Sequence, residues 1–245
     1  MSKGHLPEPY IRGLISAQLV GRAQQIDDPV VKGLSFFLDG AHSPESMEVC
    51  GRWFCLAAQK ANCIKERELQ ETDLSNEERD VNAGGFTKSK IQTVDQTSKR
   101  VLLFNCMPQR DPTILLPRLI HICNTHGFPF HHAMFVPGLS SYTQVSINIP
   151  SATKKDMSSE EEKDLSWQFS VKTVYDNLTQ CQSGAEKPSK SRELFGGARS
   201  CVVPSLPAAL DLLRQYSHHH SSQKLQVLVT GSLHLVGDVL RILKK

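Results

Sequence analysis

"GLSFFLDGAHSPESMEVCGRWF" (33–54) carries an apolar run straight into Asp-Gly-Ala-His and out again into an amphipathic pattern. Residues 33–40 are apolar without alternation, as a strand is when helices cover both faces of its sheet. Ser43 is placed to cap a following helix and Pro44 suits its first position. Met47, Cys50, Trp53, Phe54 and Ala57 then recur at helical spacing. The stretch predicts a strand, a tight join and a helix, the first half of a βαβ unit.

The same grammar returns along the chain. "RVLLFNC" (100–106) is a strand, and Asp111-Pro112 opens a helix carrying Leu115, Leu116, Leu119, Ile122 and Cys123. "HHAMFVPG" (131–138) is a third strand. "SCVVPS" (200–205) precedes a helix through Leu206, Leu210, Leu213 and Tyr216. "KLQVLVTG" (224–231) precedes a last helix carrying Leu233, Val236, Leu240 and Leu243. Strands alternating with helices of this length predict an α/β fold: a Rossmann-like three-layer sandwich with a mostly parallel sheet, plus two polar insertions. Residues 1–31 read as a lead-in and 32–245 as the α/β domain. The first insertion, 64–98, is polar and nearly devoid of aromatics, and is expected at the surface and partly disordered. The second, 139–199, contains Trp167, Val171, Val174, Leu178 and Cys181 at a spacing that predicts one amphipathic helix docked on the sheet.

Composition narrows the function classes. The chain has 245 residues, 39% hydrophobic and 22% charged, ordinary values for a soluble globular protein. A net charge of +3 without a basic block argues against nucleic acid as a partner. The seven cysteines are odd in number, form no CxxC pair and mostly sit in apolar runs, which suits a reducing compartment better than a disulfide framework. No apolar run approaches the ~18 residues of a membrane span. "MSKGHLPEPYIRGL" lacks the apolar segment of a signal peptide and the Arg/Ser richness of a transit peptide. The sequence reads as soluble and intracellular.

In a parallel α/β sheet, ligands gather at the carboxyl ends of strands. Asp39, at such an end, could accept hydrogen bonds from a ribose or merely satisfy loop N–H groups. Gly40 lets a backbone or ligand approach closely. His42, just ahead of a helix, could touch a phosphate or move a proton, or could be an exposed loop residue. At the other end of the chain, Thr230 or Ser232 could cap the last helix, or its N-terminus could hold an anion. Arg22 lies in the lead-in, where a lone arginine is ordinarily just solvated. Asn105 and Arg110-Asp111 form a third strand-end cluster, with Asp111 the natural N-cap before Pro112. "GGFTKSK" (84–90) lacks the Gly before Lys of a phosphate loop, no GxGxxG follows a strand, and His218-His219-His220 has no partner ligands at metal-site spacing.

Four stretches together, "IRGLISAQLVGRAQ" (11–24), "FFLDGAHSPESMEVCGRWF" (36–54), "VLLFNCMPQRDPTILL" (101–116) and "VLVTGSLHLVGDVLRIL" (227–243), resemble the carboxyl-terminal part of folylpolyglutamate synthases, most closely the plant forms, within the Mur-ligase-like superfamily. The resemblance implies a ligase that uses ATP and Mg²⁺ to convert the γ-carboxyl of a tetrahydrofolate polyglutamate to an acyl phosphate, which the amine of L-glutamate attacks. It implies that 1–31 include an interdomain linker, that Arg22 faces the nucleotide phosphates, that Asp39 holds the ribose, that His42 lies close to the acyl phosphate as a catalytic residue, and that Ser232 helps place the incoming glutamate. Family members also have an amino-terminal domain with a GxxxxGK[ST] loop, the Mg²⁺ ligands and most of the folate site. No such loop occurs in these 245 residues. The chain is therefore expected to need that domain in cis and to be inactive alone. The expected location is cytoplasmic, or a mitochondrion or plastid if a targeting peptide precedes the missing domain. Two alternatives stand beside this reading: a non-catalytic glutamate- or nucleotide-binding module, and a fragment of a dihydrofolate synthase, which shares the Asp-Gly-Ala-His signature.

Overall fold

The computed structural model describes residues 6–16, 19–74, 98–139, 164–180 and 198–244. Among them are six strands, β1 (Gln24–Asp27), β2 (Leu34–Leu38), β3 (Ser98–Phe104), β4 (His132–Phe135), β5 (Ser200–Val202) and β6 (Lys224–Thr230). Six helices accompany them: α1 (Glu8–Ser16), α2 (Pro44–Leu74), α3 (Pro112–Thr125), α4 (Ser166–Gln180), α5 (Leu206–His219) and α6 (Leu233–Leu243). The strands form one sheet in the order β1-β2-β6-β3-β4-β5. Every pairing is parallel except β1 with β2, so the sheet is an α/β sheet with one antiparallel edge.

Alternate side chains of the strands feed two cores. Phe36, Leu38, Leu103, Met134, Val227 and Val229 pack against α5 and α6. Phe37, Leu102, Phe104, Phe135 and Leu228 pack against α2, α3 and α4 on the opposite face. Helices on both faces explain why the central strands carry no alternation: both sides of each are buried. On the second face the packing is aromatic, with Phe54 of α2 edge-on to Phe37 at 5.2 Å and Tyr175 of α4 edge-on to Phe135 at 5.7 Å.

Three elements differ from the sequence reading. The lead-in is not featureless: Glu8–Ser16 is helical, with Pro9 in the first turn where its missing N–H is harmless. Gln24–Asp27 is the edge strand β1, in register with Leu38 back to Ser35, so the sheet begins before residue 32. α2 runs on to Leu74, well into the stretch 64–98 read as an insertion, because Lys, Glu, Arg, Gln and Leu sustain a helix after its apolar stripe ends. The amphipathic helix of the second insertion is α4, which buries Val171 and Tyr175. Residues 75–97, 140–163 and 181–197, which hold the remainder of both insertions and the Gly-rich 84–90, lie outside the described residues.

Candidate functional site

β2 and β6 are neighbours, yet the helices that follow them, α2 and α6, cover opposite faces. The carboxyl ends of two such strands, where the outgoing loops part, are where open α/β sheets ordinarily bind ligands. Asp39, Gly40, Ala41 and His42 form one lip and Gly231-Ser232 the other. The lips are tied by the backbone: Asp39 N donates to Val229 O (3.1 Å) and Gly231 N to Ala41 O (3.0 Å).

Arg22, distant in sequence from both lips, is brought to the first by the turn before β1. Its Nη1 lies 3.3 Å from Asp39 Oδ1, and the Ala23 amide donates to Asp39 Oδ2 at 2.9 Å. Gly40 N donates to Gly21 O (3.1 Å), closing the turn against the strand end. Ala23 has φ 45°, a left-handed conformation that costs a non-glycine residue ~1 kcal/mol or more. The Asp39 carboxylate holds it there. Both readings of Asp39 are thus compatible, since it satisfies a loop N–H while still presenting a charged strand end.

His42 sits where the chain enters α2. Its amide donates to Ser46 Oγ at 3.0 Å, and its Nδ1 lies 2.8 Å from Gly40 O. A carbonyl oxygen only accepts, so Nδ1 carries the proton and Nε2 is the acceptor of the neutral ring. Ser43 is the N-cap: its Oγ accepts from Ser46 N (3.3 Å) while Ser46 Oγ accepts from Ser43 N (2.9 Å). This reciprocal pair was readable only in part, because the second cap member is serine rather than Glu or Gln.

Gly40 admits a close approach from the protein's own chain, one of the two uses expected of it. A methyl group on it would come 2.3 Å from Leu233 Cδ2 and 3.0 Å from Leu233 Cα, so it is α6 that packs against the glycine. At the other lip, Ser232 is the N-cap of α6, accepting from His234 N at 3.1 Å, and is only 6% exposed. Thr230 is buried beneath it and accepts from the Cys50 thiol at 3.6 Å. Burial first, and then the nearby Asp39 charge, push the Cys50 thiol well above its ordinary value. The loop after β3 borders the same strand end: Asn105 N donates to Thr230 O (3.4 Å), and Trp167 Nε1 of α4 donates to Cys106 O (2.7 Å). Asp111 caps α3, accepting from the Thr113 hydroxyl (2.6 Å) and from Thr113 N (2.8 Å), and these hydrogen bonds, the hydroxyl's first, hold its carboxyl below the usual range.

The structure therefore brings Arg22 and Asp39 into direct contact and sets His42 and Ser232 on the two lips. His218, His219 and His220 stand apart, at the end of α5. The Asp39–Arg22 pair suits a ligand with hydroxyl and phosphate groups. Each carboxylate oxygen has a second lone pair to offer a hydroxyl, and the guanidinium has donors beyond the one facing Asp39. A divalent cation finds less: among the described residues no cluster of three or more His, Cys, Asp or Glu could hold a metal ion.

A doubly wound α/β domain with Arg22, Asp39, His42 and Ser232 at the ends of neighbouring strands is the class so defined. No protein-family model matches the chain. Two Arabidopsis thaliana proteins named folylpolyglutamate synthase match it at 40% and 37% identity over 98% of its length, and a Neurospora crassa folylpolyglutamate synthase at 27% over 98%. The chain spans only 39%, 41% and 36% of those relatives. A solved Mycobacterium tuberculosis folylpolyglutamate synthase complexed with ADP aligns with 98% of this chain and 36% of its own, at 12% identity and a TM-score of 0.49. Along 98% of its length the chain is similar to folylpolyglutamate synthases, at 37–40% identity to the two Arabidopsis proteins.

Proposed function

We propose that this chain is the carboxyl-terminal domain of an ATP-dependent ligase that adds L-glutamate to the γ-carboxyl of tetrahydrofolate and its polyglutamates through an acyl phosphate. The observation that carries the reading is 40% identity to a folylpolyglutamate synthase along 98% of the chain. The physical logic is that a carboxylate resists an amine until one oxygen becomes a phosphate leaving group, and that both substrates must be held in line. In this reading Asp39 accepts the ribose hydroxyls and Arg22 turns its remaining N–H donors to the phosphates. His42, with Nε2 as acceptor, stands at the edge where the acyl phosphate forms, and Ser232 orients the incoming glutamate with its hydroxyl proton. The segment before β1 links to an amino-terminal domain that grips the β- and γ-phosphates, the folate and Mg²⁺; no residue of this chain is assigned to the metal. No helix among the described residues is long and apolar enough to cross a membrane. A cytoplasmic location accords with this reading, as does an organelle, since a human relative is named mitochondrial.

The test is glutamate incorporation into tetrahydrofolate by the purified chain with ATP and Mg²⁺, paired with calorimetric titration of nucleotide, glutamate and folate. The expected result is no turnover with weak nucleotide binding that Asp39→Ala abolishes. Turnover by the polypeptide alone would overturn the half-site reading. Binding of no ligand at all would count against the roles given to Arg22 and Asp39.

A further inference from the structure

At the edge of the sheet farthest from Arg22 and Asp39, a thiol and an imidazole meet in a contact that is independent of the ligase reading. β5 is the last strand in the sheet order and pairs with β4, Met134 lying opposite Cys201. Cys201 packs against the core that holds Met134, and His132, two residues before Met134 on β4, lies on the same face of the strand. His132 Nε2 is 3.3 Å from Cys201 Sγ, and its Nδ1 is 2.8 Å from Ala198 O. A carbonyl oxygen only accepts, so Nδ1 carries the ring proton and Nε2 accepts the Cys201 S–H. The imidazole is fully buried. The thiol is not: among the described cysteines Cys50, Cys55, Cys106 and Cys123 are buried, whereas Cys201 is partly exposed.

We propose that Cys201 is a site of oxidation by a small hydroperoxide, with His132 carrying the proton. The arrangement supplies the parts of an activated nucleophile: a sulfur that solvent reaches, a base at hydrogen-bond distance, and a carbonyl that orients the base. Sγ attacks one peroxide oxygen, the S–H proton passes to Nε2 and the O–O bond breaks. Nε2 then returns the proton to the departing oxygen. One thiol and one hydrogen peroxide give one sulfenic acid and one water, the sulfur losing two electrons to the peroxide. Burial lowers the imidazole to about 4, outweighing the Ala198 carbonyl and the Asp176 charge, which act the other way. Burial also pushes the Cys201 thiol up, against the pull of Lys172. Lys172 and Asp176 are paired on α4, across the sheet, and α5 on the near face turns Leu206, Ala209 and Leu210 to the core. The resting pair is therefore neutral, S–H to N. An unassisted thiol reacts as its thiolate, whose fraction falls about tenfold per pH unit below its pKa. Cys201 needs only a neutral His132, which is present down to about 4, so its oxidation holds a flat pH profile where an ordinary thiol's is steep.

The experiment treats the 245-residue chain with hydrogen peroxide at a series of pH values, removes the peroxide with catalase, and labels with dimedone and then an alkylating agent at one fixed pH before mapping peptides by mass. The expected result is a dimedone adduct on Cys201 while Cys50 and Cys106 are recovered as alkylated thiols. Its rate of formation should fall less than ~3-fold from about pH 7.5 to about pH 5.5, where an unassisted thiol falls about 100-fold. His132→Gln, which cannot take up the proton, should slow Cys201 oxidation at neutral pH by at least ~10-fold and bring back the steep profile. Should that variant fail to fold, the wild-type profile decides alone. Recovery of Cys201 as the unoxidised thiol overturns the proposal. So does a steep wild-type profile, or a folded His132→Gln chain oxidised at the wild-type rate.

Discussion

Replacing Asp39 with alanine removes the group that ties the turn before β1 to the end of β2, and the loss can be worked from its contacts. The carboxylate accepts one charge-assisted hydrogen bond from Ala23 N at 2.9 Å. Such a bond contributes about 1.5–3 kcal/mol. The Arg22 contact is 3.3 Å long, and the two side chains are 30% and 14% exposed, so solvent screening holds its share to about 0.5–1 kcal/mol. Ala23 partly offsets the loss, because once released it relaxes from φ 45° and recovers ~1 kcal/mol of strain. The net expectation is a destabilisation of ~1–3 kcal/mol, read by urea unfolding as a lower midpoint with an unchanged slope. Asp39→Asn should cost less, since a neutral oxygen still accepts from Ala23. A double-mutant cycle with Arg22→Ala isolates the ion pair at ~0.5–1 kcal/mol. A cost for Asp39→Ala below ~0.5 kcal/mol, or no coupling to Arg22, would refute the claim that this carboxylate assembles the lip.

Four further outcomes are expected. Gly231→Ala puts a side chain on a φ of 98° residue and a methyl 2.4 Å from Asn105 O, so at least ~2 kcal/mol should be lost in urea unfolding; a loss below ~0.5 would show the β6 end to be pliable. Arg214→Ala leaves the fully buried Asp28 carboxylate with only the Val30 and Val31 amides, at a cost of about 3 kcal/mol, whereas a surface pair would cost under ~1. Ser232→Ala should lower stability by ~1 kcal/mol and Ser232→Gly by only a few tenths, as for an N-cap; equal losses would show that the cap is not what the hydroxyl provides. Burial first lowers the His132 imidazole to about 4, against 6.5 in a free chain. The folded state keeps it neutral, so its contribution is whole above about pH 6.5 and fades toward pH 4 at up to ~1.4 kcal/mol per unit. His132→Gln should flatten that acid limb, and an unchanged limb would place the titration elsewhere.

The parts of the fold legible in the sequence are those whose signal is local. β2, β3 and β6 are apolar runs long enough to stand out, and Ser43, Asp111 and Ser232 announce the helices they cap. β1 was not legible, because Gln-Gln-Ile-Asp has one apolar residue and becomes a strand only by pairing with β2. The length of α2 was missed for the opposite reason: its apolar period stops while its helix propensity continues. At the site, strand-end logic and the family resemblance selected Asp39 and His42, but not what surrounds them. Residue spacing gives no hint that the Ala23 amide serves Asp39, or that Gly40 is small for Leu233. Those contacts join segments far apart in sequence, and only the folded sheet brings them together.

The central claim is that this chain contributes one wall of a glutamate ligase site, with Asp39 and His42 in it. The most direct test replaces the matching region of an Arabidopsis folylpolyglutamate synthase with this chain and measures glutamate addition to tetrahydrofolate. The account predicts an active chimera that loses at least ~100-fold in kcat/KM when His42 is changed to alanine, about 2.7 kcal/mol of transition-state stabilisation. A folded chimera that binds substrates but adds no glutamate, or one indifferent to both Asp39→Ala and His42→Ala, would contradict it.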